Sequence, residues 1–223
     1  MADIYPTSDG VVYKYVTNTW AFVRRSSSGT LRTFSSYNIT NSHTAGRGSN
    51  AYNIGRYFLL FDTSGIGDTL DSATLNIYGT GESDLDVIVL QGGQLDGSSV
   101  ASTDFEKIDN ASTPLSNSDG SGTGTFAGTS VVEFSSEVTT WSTSGYNNIS
   151  LNSDALEYMV DEDNVLFVII GYDYDYLDIA PSGIDPQIGF YQDAYTGTSR
   201  DPYITYNVAT AVTDNSVFFG TNF

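Results

Sequence analysis

Short runs of β-branched and aromatic residues, each closed off by Gly, Ser, Asp or Asn, follow one another along almost the whole chain. Val11–Val16, Trp20–Val23, Tyr57–Phe61, Ala73–Tyr78, Leu85–Leu90 and Val131–Phe134 have this form, as do Asn148–Leu151, Val165–Ile170, Ile188–Tyr191 and Tyr203–Tyr206. Runs of four to six residues with such boundaries predict strands. Ten or more strands in one chain are more than a single open sheet carries comfortably, so the pattern predicts two packed antiparallel sheets. Helix is expected only in small pieces. Ser153–Val160 has a Ser cap, acids in its first turn and apolar residues at 155, 156, 159 and 160, and Ser136–Trp141 is a second short candidate.

Composition narrows the class further. The 223 residues include 16 Tyr and 12 Phe but 2 Met and no Cys, so disulfides, thiolate metal sites and cysteine nucleophiles are excluded. The longest apolar run, Val165–Gly171, is strand-sized and far short of a bilayer span. The N-terminus has no basic segment followed by an apolar one, which predicts a chain made in the cytosol or trimmed rather than one carrying a secretory signal. With a formal charge of −19, a phosphate backbone is repelled and nucleic acid is not an expected partner.

That charge is unevenly placed. Residues 1–56 hold six bases (Lys14, Arg24, Arg25, Arg32, Arg47, Arg56) against Asp3 and Asp9, about +4, whereas the remainder holds two bases against 25 acids. Two readings follow: a basic N-terminal sheet beside acidic loops of the same domain, or a docking surface around Arg24–Arg25 for an acidic neighbour. The polar stretch Asn110–Gly128 reads as an excursion from the sandwich, and the pattern favours one domain over residues 1–207 followed by a tail, 208–223. Phe218, Phe219 and Phe223 in that tail are costly to leave in water, on the order of 1.5–3 kcal/mol each. They predict a contact with the tail's own domain or with a neighbouring subunit. No repeat of fixed period is present.

Chemistry is thinly supported. His43 is the one histidine, set in a Thr-Asn-Ser-His-Thr segment that reads as a loop, and no Gly-x-Ser-x-Gly elbow accompanies it, so nucleophilic triads are not expected. Among so many acids no local motif marks the paired carboxylates of a glycosidase. The reading is therefore non-enzymatic. Calcium is the ion the acids suit: Asp173 and Asp175 fall on one face of Gly171–Asp178 read as an extended segment, with Asp178 and Asp185 following, and Asp161-Glu162-Asp163 forms a weaker group. Tyr172 and Tyr174 on the opposite face, with Trp141, predict either packed aromatics or a platform for sugar rings.

Two blocks carry a resemblance. Arg56-Tyr57-Phe58-Leu59-Leu60-Phe61-Asp62-Thr63-Ser64-Gly65-Ile66 and Leu70-Asp71-Ser72-Ala73-Thr74-Leu75-Asn76-Ile77-Tyr78 resemble the core of DNRLRE-type domains, and Trp141–Asn152 and Ile188–Tyr206 fit the same pattern. The resemblance implies an all-β jelly-roll β-sandwich of two antiparallel sheets with one or two short helices, related to carbohydrate-binding modules. With a bare N-terminus it also implies a bacteriophage structural protein: a capsid decoration, cement or head-fibre protein, or a tail or neck component. The expected partners are then its own copies, the major capsid protein or neighbouring shell and tail subunits, with glycan as the alternative ligand. In this pattern Phe58, Leu60, Ala73, Leu75 and Ile77 are expected to point inward.

Overall fold

A computed structural model describes residues 1–17, 19–45, 50–67, 69–95, 97–108, 131–194 and 199–209. The strands are β1 (Ala2–Ile4), β2 (Pro6–Val16), β3 (Thr30–Arg32), β4 (Ser36–Ala45), β5 (Asn50–Asp62), β6 (Leu70–Ser83), β7 (Val87–Gln91), β8 (Tyr146–Ser150), β9 (Asn164–Gly171), β10 (Gln187–Tyr191) and β11 (Tyr203–Val208). All pairings are antiparallel. One layer runs β1-β11-β6-β8 and the other β3-β2-β5-β9-β7. The fold is the expected all-β jelly-roll sandwich, with one addition: β10 pairs with both β6 and β4, and β4 pairs with β5, so the layers are hydrogen-bonded to each other along one side.

Two cores result from the period-two alternation of strands. Tyr57, Leu59 and Phe61 of β5, Val165, Phe167 and Ile169 of β9, and Leu75, Ile77, Ile149 and Ile204 of the facing layer fill the space between the sheets. The other face of β5, β9 and β7, carrying Phe58, Val168, Ile170, Ile88 and Leu90, is buried as well, under Trp20, Val23, Phe105 and Ile108. This corrects the inward set. Ala73, Leu75 and Ile77 do point between the sheets, but Phe58 belongs to the outer core and Leu60 lies beside it, because a strand covered on both faces gives no polar alternation to fix its phase.

Four local expectations are also revised. Trp20–Arg24 is a helix, α1, whose cap Thr19 accepts the Phe22 N–H at 3.3 Å, a signal the aromatic run had masked. Ser136–Trp141 forms no helix, Val138 there being bridged to Val87, and His43 lies in β4 rather than in a loop. The helix α2, Ser153–Asp161, forms as expected, but its cap is Asn152, whose side-chain oxygen accepts the Ala155 N–H at 3.1 Å. Ser102–Glu106 is a 3-10 turn. No helix among the described residues is long and apolar enough to cross a membrane. The segment 110–128 and residues Phe218, Phe219 and Phe223 lie outside the described residues.

Candidate functional site

The segment Gly171–Asp178 is not extended. Tyr172–Tyr176 is a π-helical turn, with the Leu177 N–H donating to Tyr172 O at 3.1 Å and the Ile179 N–H to Tyr174 O at 3.0 Å. The wide turn sends the three aspartates expected to share an ion to different partners. Asp175 is fully buried and faces Arg56, whose Nε and Nη2 reach its two oxygens at 2.7 and 2.8 Å. Arg56 also donates to Phe105 O at 2.7 Å and Arg24 O at 2.8 Å, and its guanidinium lies 4.1 Å from the centre of the Phe105 ring. Arg24 donates from Nε to Asp175 O at 2.6 Å, and Asp178 sits 3.4 Å from Arg24 and 3.7 Å from Arg25 while accepting the Trp20 indole N–H at 3.2 Å. Burial pulls the Arg24 guanidinium down to about 10, against the pull of Asp175 and Asp178.

This network corrects two assignments. Arg24, expected on a contact surface, is 1% exposed and ties α1 to the π turn, and Arg25 stands beside it against Asp178. Asp175 and Asp178, expected to bind calcium, are taken up by arginines. Of the reading of the charge asymmetry, Arg24 and Arg56 follow the intradomain alternative.

Asp173 goes elsewhere. One carboxylate oxygen each from Asp86, Glu137 and Asp173 gather within 4.8 Å of one another, and Asp173 accepts the Asp86 N–H at 3.2 Å. Asp86, just before β7, and Glu137, next to Val138 that bridges to β7, are far apart in sequence, so spacing gave no hint of the group. Desolvation together with Asp173 raises the Asp86 carboxyl, and desolvation together with Asp86 raises Glu137. Three mutually repelling carboxylates at this separation suit either a shared proton or a hard cation. Asp161, Glu162 and Asp163 are exposed and, with Asp62, rim a separate groove of about 830 Å³.

Of the two readings of Tyr172, Tyr174 and Trp141, these residues follow the packed one. Trp141 is 8% exposed and donates its indole N–H to Gly189 O at 3.1 Å. Tyr172 is stacked on Tyr176 with ring centres 5.1 Å apart, Tyr176 is buried, and Tyr174 packs against both cores. His43 stacks on Tyr52 at 4.8 Å and its Nδ1 accepts the Gly183 N–H at 2.9 Å, a structural setting.

A different row of tyrosines crosses the outer face of the layer β1-β11-β6-β8. Tyr5 lies against Tyr203 at 5.7 Å, Tyr203 against Tyr146 at 5.2 Å, Tyr146 against Tyr78 at 5.2 Å and Tyr78 against Tyr191 at 5.6 Å. Arg200 spans the far end, 5.1 Å from the Tyr78 ring and 4.7 Å from Tyr191. Asn76, Asn148, Thr74 and Ser150 continue the same face in paired register. Its phase was readable: Tyr78, Tyr191 and Tyr203 each adjoin a residue of the inner core, Ile77, Phe190 and Ile204. The tyrosines are partly exposed, whereas the outer face of the opposite layer is sealed by α1 and the 3-10 turn.

No family model matches the chain, and no curated protein is significantly similar to it.

Proposed function

We propose that this chain is a non-enzymatic structural protein of a bacteriophage virion, capsid-associated as a decoration, cement or head-fibre protein, and that the tyrosine-lined outer face is where it meets its own copies or neighbouring shell subunits. The observation that carries the assembly part is the inequality of the two outer faces: one is covered by the chain itself, the other presents a continuous row of half-exposed rings. Tyrosine buries large area at little entropic cost, which is why such rows are used in association. The virion part rests on the resemblance of the blocks at Arg56–Ile66, Leu70–Tyr78, Trp141–Asn152 and Ile188–Tyr206.

Light scattering is expected to give an oligomer for the full chain and a lower mass, at an unchanged melting temperature, for a Tyr146→Lys, Tyr203→Lys variant. A monomer at every concentration, or a mass indifferent to these changes, would remove the assembly role of this face. Calcium enters the reading as an ion held by Asp86, Glu137 and Asp173. Added Ca²⁺ is expected to raise the melting temperature of the native chain and to have little effect on Glu137→Gln; an equal shift in both would place the ion elsewhere.

A further inference from the structure

An apolar groove of about 350 Å³ lies between α2 and the start of β6, on residues used neither by the tyrosine row nor by the buried ion network. Leu70 of β6 and Leu156 and Val160 of α2 form its apolar walls, and the exposed Thr69, Glu157 and Asp161 stand at its edge. The helix turns Ala155 and Met159 into the core. That leaves Leu156 and Val160, four residues apart and so one above the other, on its flank, where both are only partly buried.

The chain delivers its own C-terminal segment to this groove. The register of β11 on β6 slips between Asn207 and Val208, so that Val208 pairs with Leu70 and the Ala209 N–H donates to Thr69 O at 2.8 Å. The last described residues therefore leave the sheet held against two residues that line the groove, with Val208 itself 45% exposed. Residues 210–223 follow, with Val217, Phe218, Phe219 and Phe223 and a single charged side chain, Asp214. The uncharged run 215–223 meets no repulsion from Glu157 and Asp161, whereas an anionic amphiphile would set its charge beside them. Phe218 is nine residues beyond Ala209, a reach of up to about 30 Å, against about 14 Å for the whole length of α2.

We propose that residues 210–223 return to their own domain and seat one ring of the Phe218–Phe219 pair in this groove. Of the two contacts that the tail's rings predict, own domain or neighbouring subunit, the point of attachment selects the first. A segment tethered beside its site is present there at an effective concentration of about millimolar, without any second copy. An aromatic ring brings a large apolar area, and Leu70, Leu156 and Val160 supply the surface that receives it. The tail is then a strap over α2 and β6 rather than an assembly contact. The proposal goes beyond the assembly reading and does not rest on it, since that reading uses a different face.

Paramagnetic NMR of the full chain tests it. The sequence has no cysteine, so Glu157→Cys, at an exposed position on the groove's edge, takes a single nitroxide label. The amide signals of residues 216–221 are expected to be lost to broadening in the labelled chain and to return when Phe218→Ser and Phe219→Ser are added. No broadening is expected in a mixture of labelled chains with unlabelled, isotope-enriched ones. Without the label, Phe218→Ser with Phe219→Ser is expected to lower the melting temperature by about 3–12 °C. Val160→Lys is expected to lower it too, and all three together by less than the sum, because both changes remove one contact. Tail amides that stay sharp beside the label, an unchanged melting temperature in the Phe218, Phe219 variant, or strictly additive losses would overturn the proposal. Broadening in the mixture would place the tail on a neighbouring copy and overturn it equally.

Discussion

Replacing Arg56 by alanine is expected to cost about 3–5 kcal/mol of folding stability, the largest single-residue loss outside the apolar core. Four donated hydrogen bonds from this fully buried side chain join β5 to the π turn, the 3-10 turn and α1. Removing it strands the fully buried Asp175 carboxylate beside an Arg24 that touches it at 3.4 Å. For a domain of this size the loss corresponds to roughly 6–20 °C in melting temperature. Arg56→Lys should recover only part of it, since an ammonium cannot meet both carboxylate oxygens and two carbonyls in one plane. Asp175→Asn should lose a comparable amount, and the Arg56→Met, Asp175→Leu double variant should be less harmful than either single truncation, because it removes both charges of the pair and leaves Arg24 its contact with Asp178 at 3.4 Å. Chemical denaturation of the four variants decides the matter; an Arg56→Ala chain that melts with the parent would show that the network contributes nothing to stability.

Stability is expected to rise as the solution is made mildly acidic, and Asp9 is the main cause. Its carboxylate, at the start of β2, is buried, accepts the Tyr57 hydroxyl and the Asp193 N–H, and faces the carboxylates of Asp193 and Asp201. Burial pushes it up from 3.8 to about 6, with the two neighbouring acids adding to the rise and the hydrogen bonds opposing it. The folded protein therefore holds this proton more tightly than the unfolded chain. The associated stability is fully present below about pH 3.8 and is lost as the pH rises through about 6. The full swing is about 3 kcal/mol. Asp86, Glu137 and Asp201, all raised by burial and by like charges, act in the same direction. Asp9→Asn keeps an oxygen for both hydrogen bonds without the charge, so it should gain about 1–3 kcal/mol at pH 7 and flatten the slope between pH 4 and 6. Denaturation midpoints across that range provide the check, and an Asp9→Asn variant less stable than the parent at pH 7 would mean that the ionised carboxylate is worth more than its burial costs.

Much of the sandwich was legible because a strand with one wet face announces its phase. Ala73, Leu75 and Ile77 alternate with Thr74, Asn76 and Tyr78, and β6 faces as its sequence says. Where both faces are covered that information disappears. β5 and β9 are apolar on both sides, and the inward set Tyr57, Leu59, Phe61 could be told from Phe58 and Leu60 only once α1 and the 3-10 turn were seen to roof the second face. The site residues divide in the same way. A run such as Asp173-Tyr174-Asp175-Tyr176 states how many carboxylates are near one another along the chain, yet the π turn separates them, and the partners that matter, Asp86, Glu137 and Arg56, come from other strands.

The sequence by itself determined the all-β class, the strands whose alternation is one-sided and the absence of thiol chemistry, since these follow from residue type and local period. Tertiary structure alone decided which charges are structural and which tyrosines stand exposed. Those properties depend on which distant segments cover a given surface, and desolvation and hydrogen bonding are set by that covering rather than by neighbours in the chain.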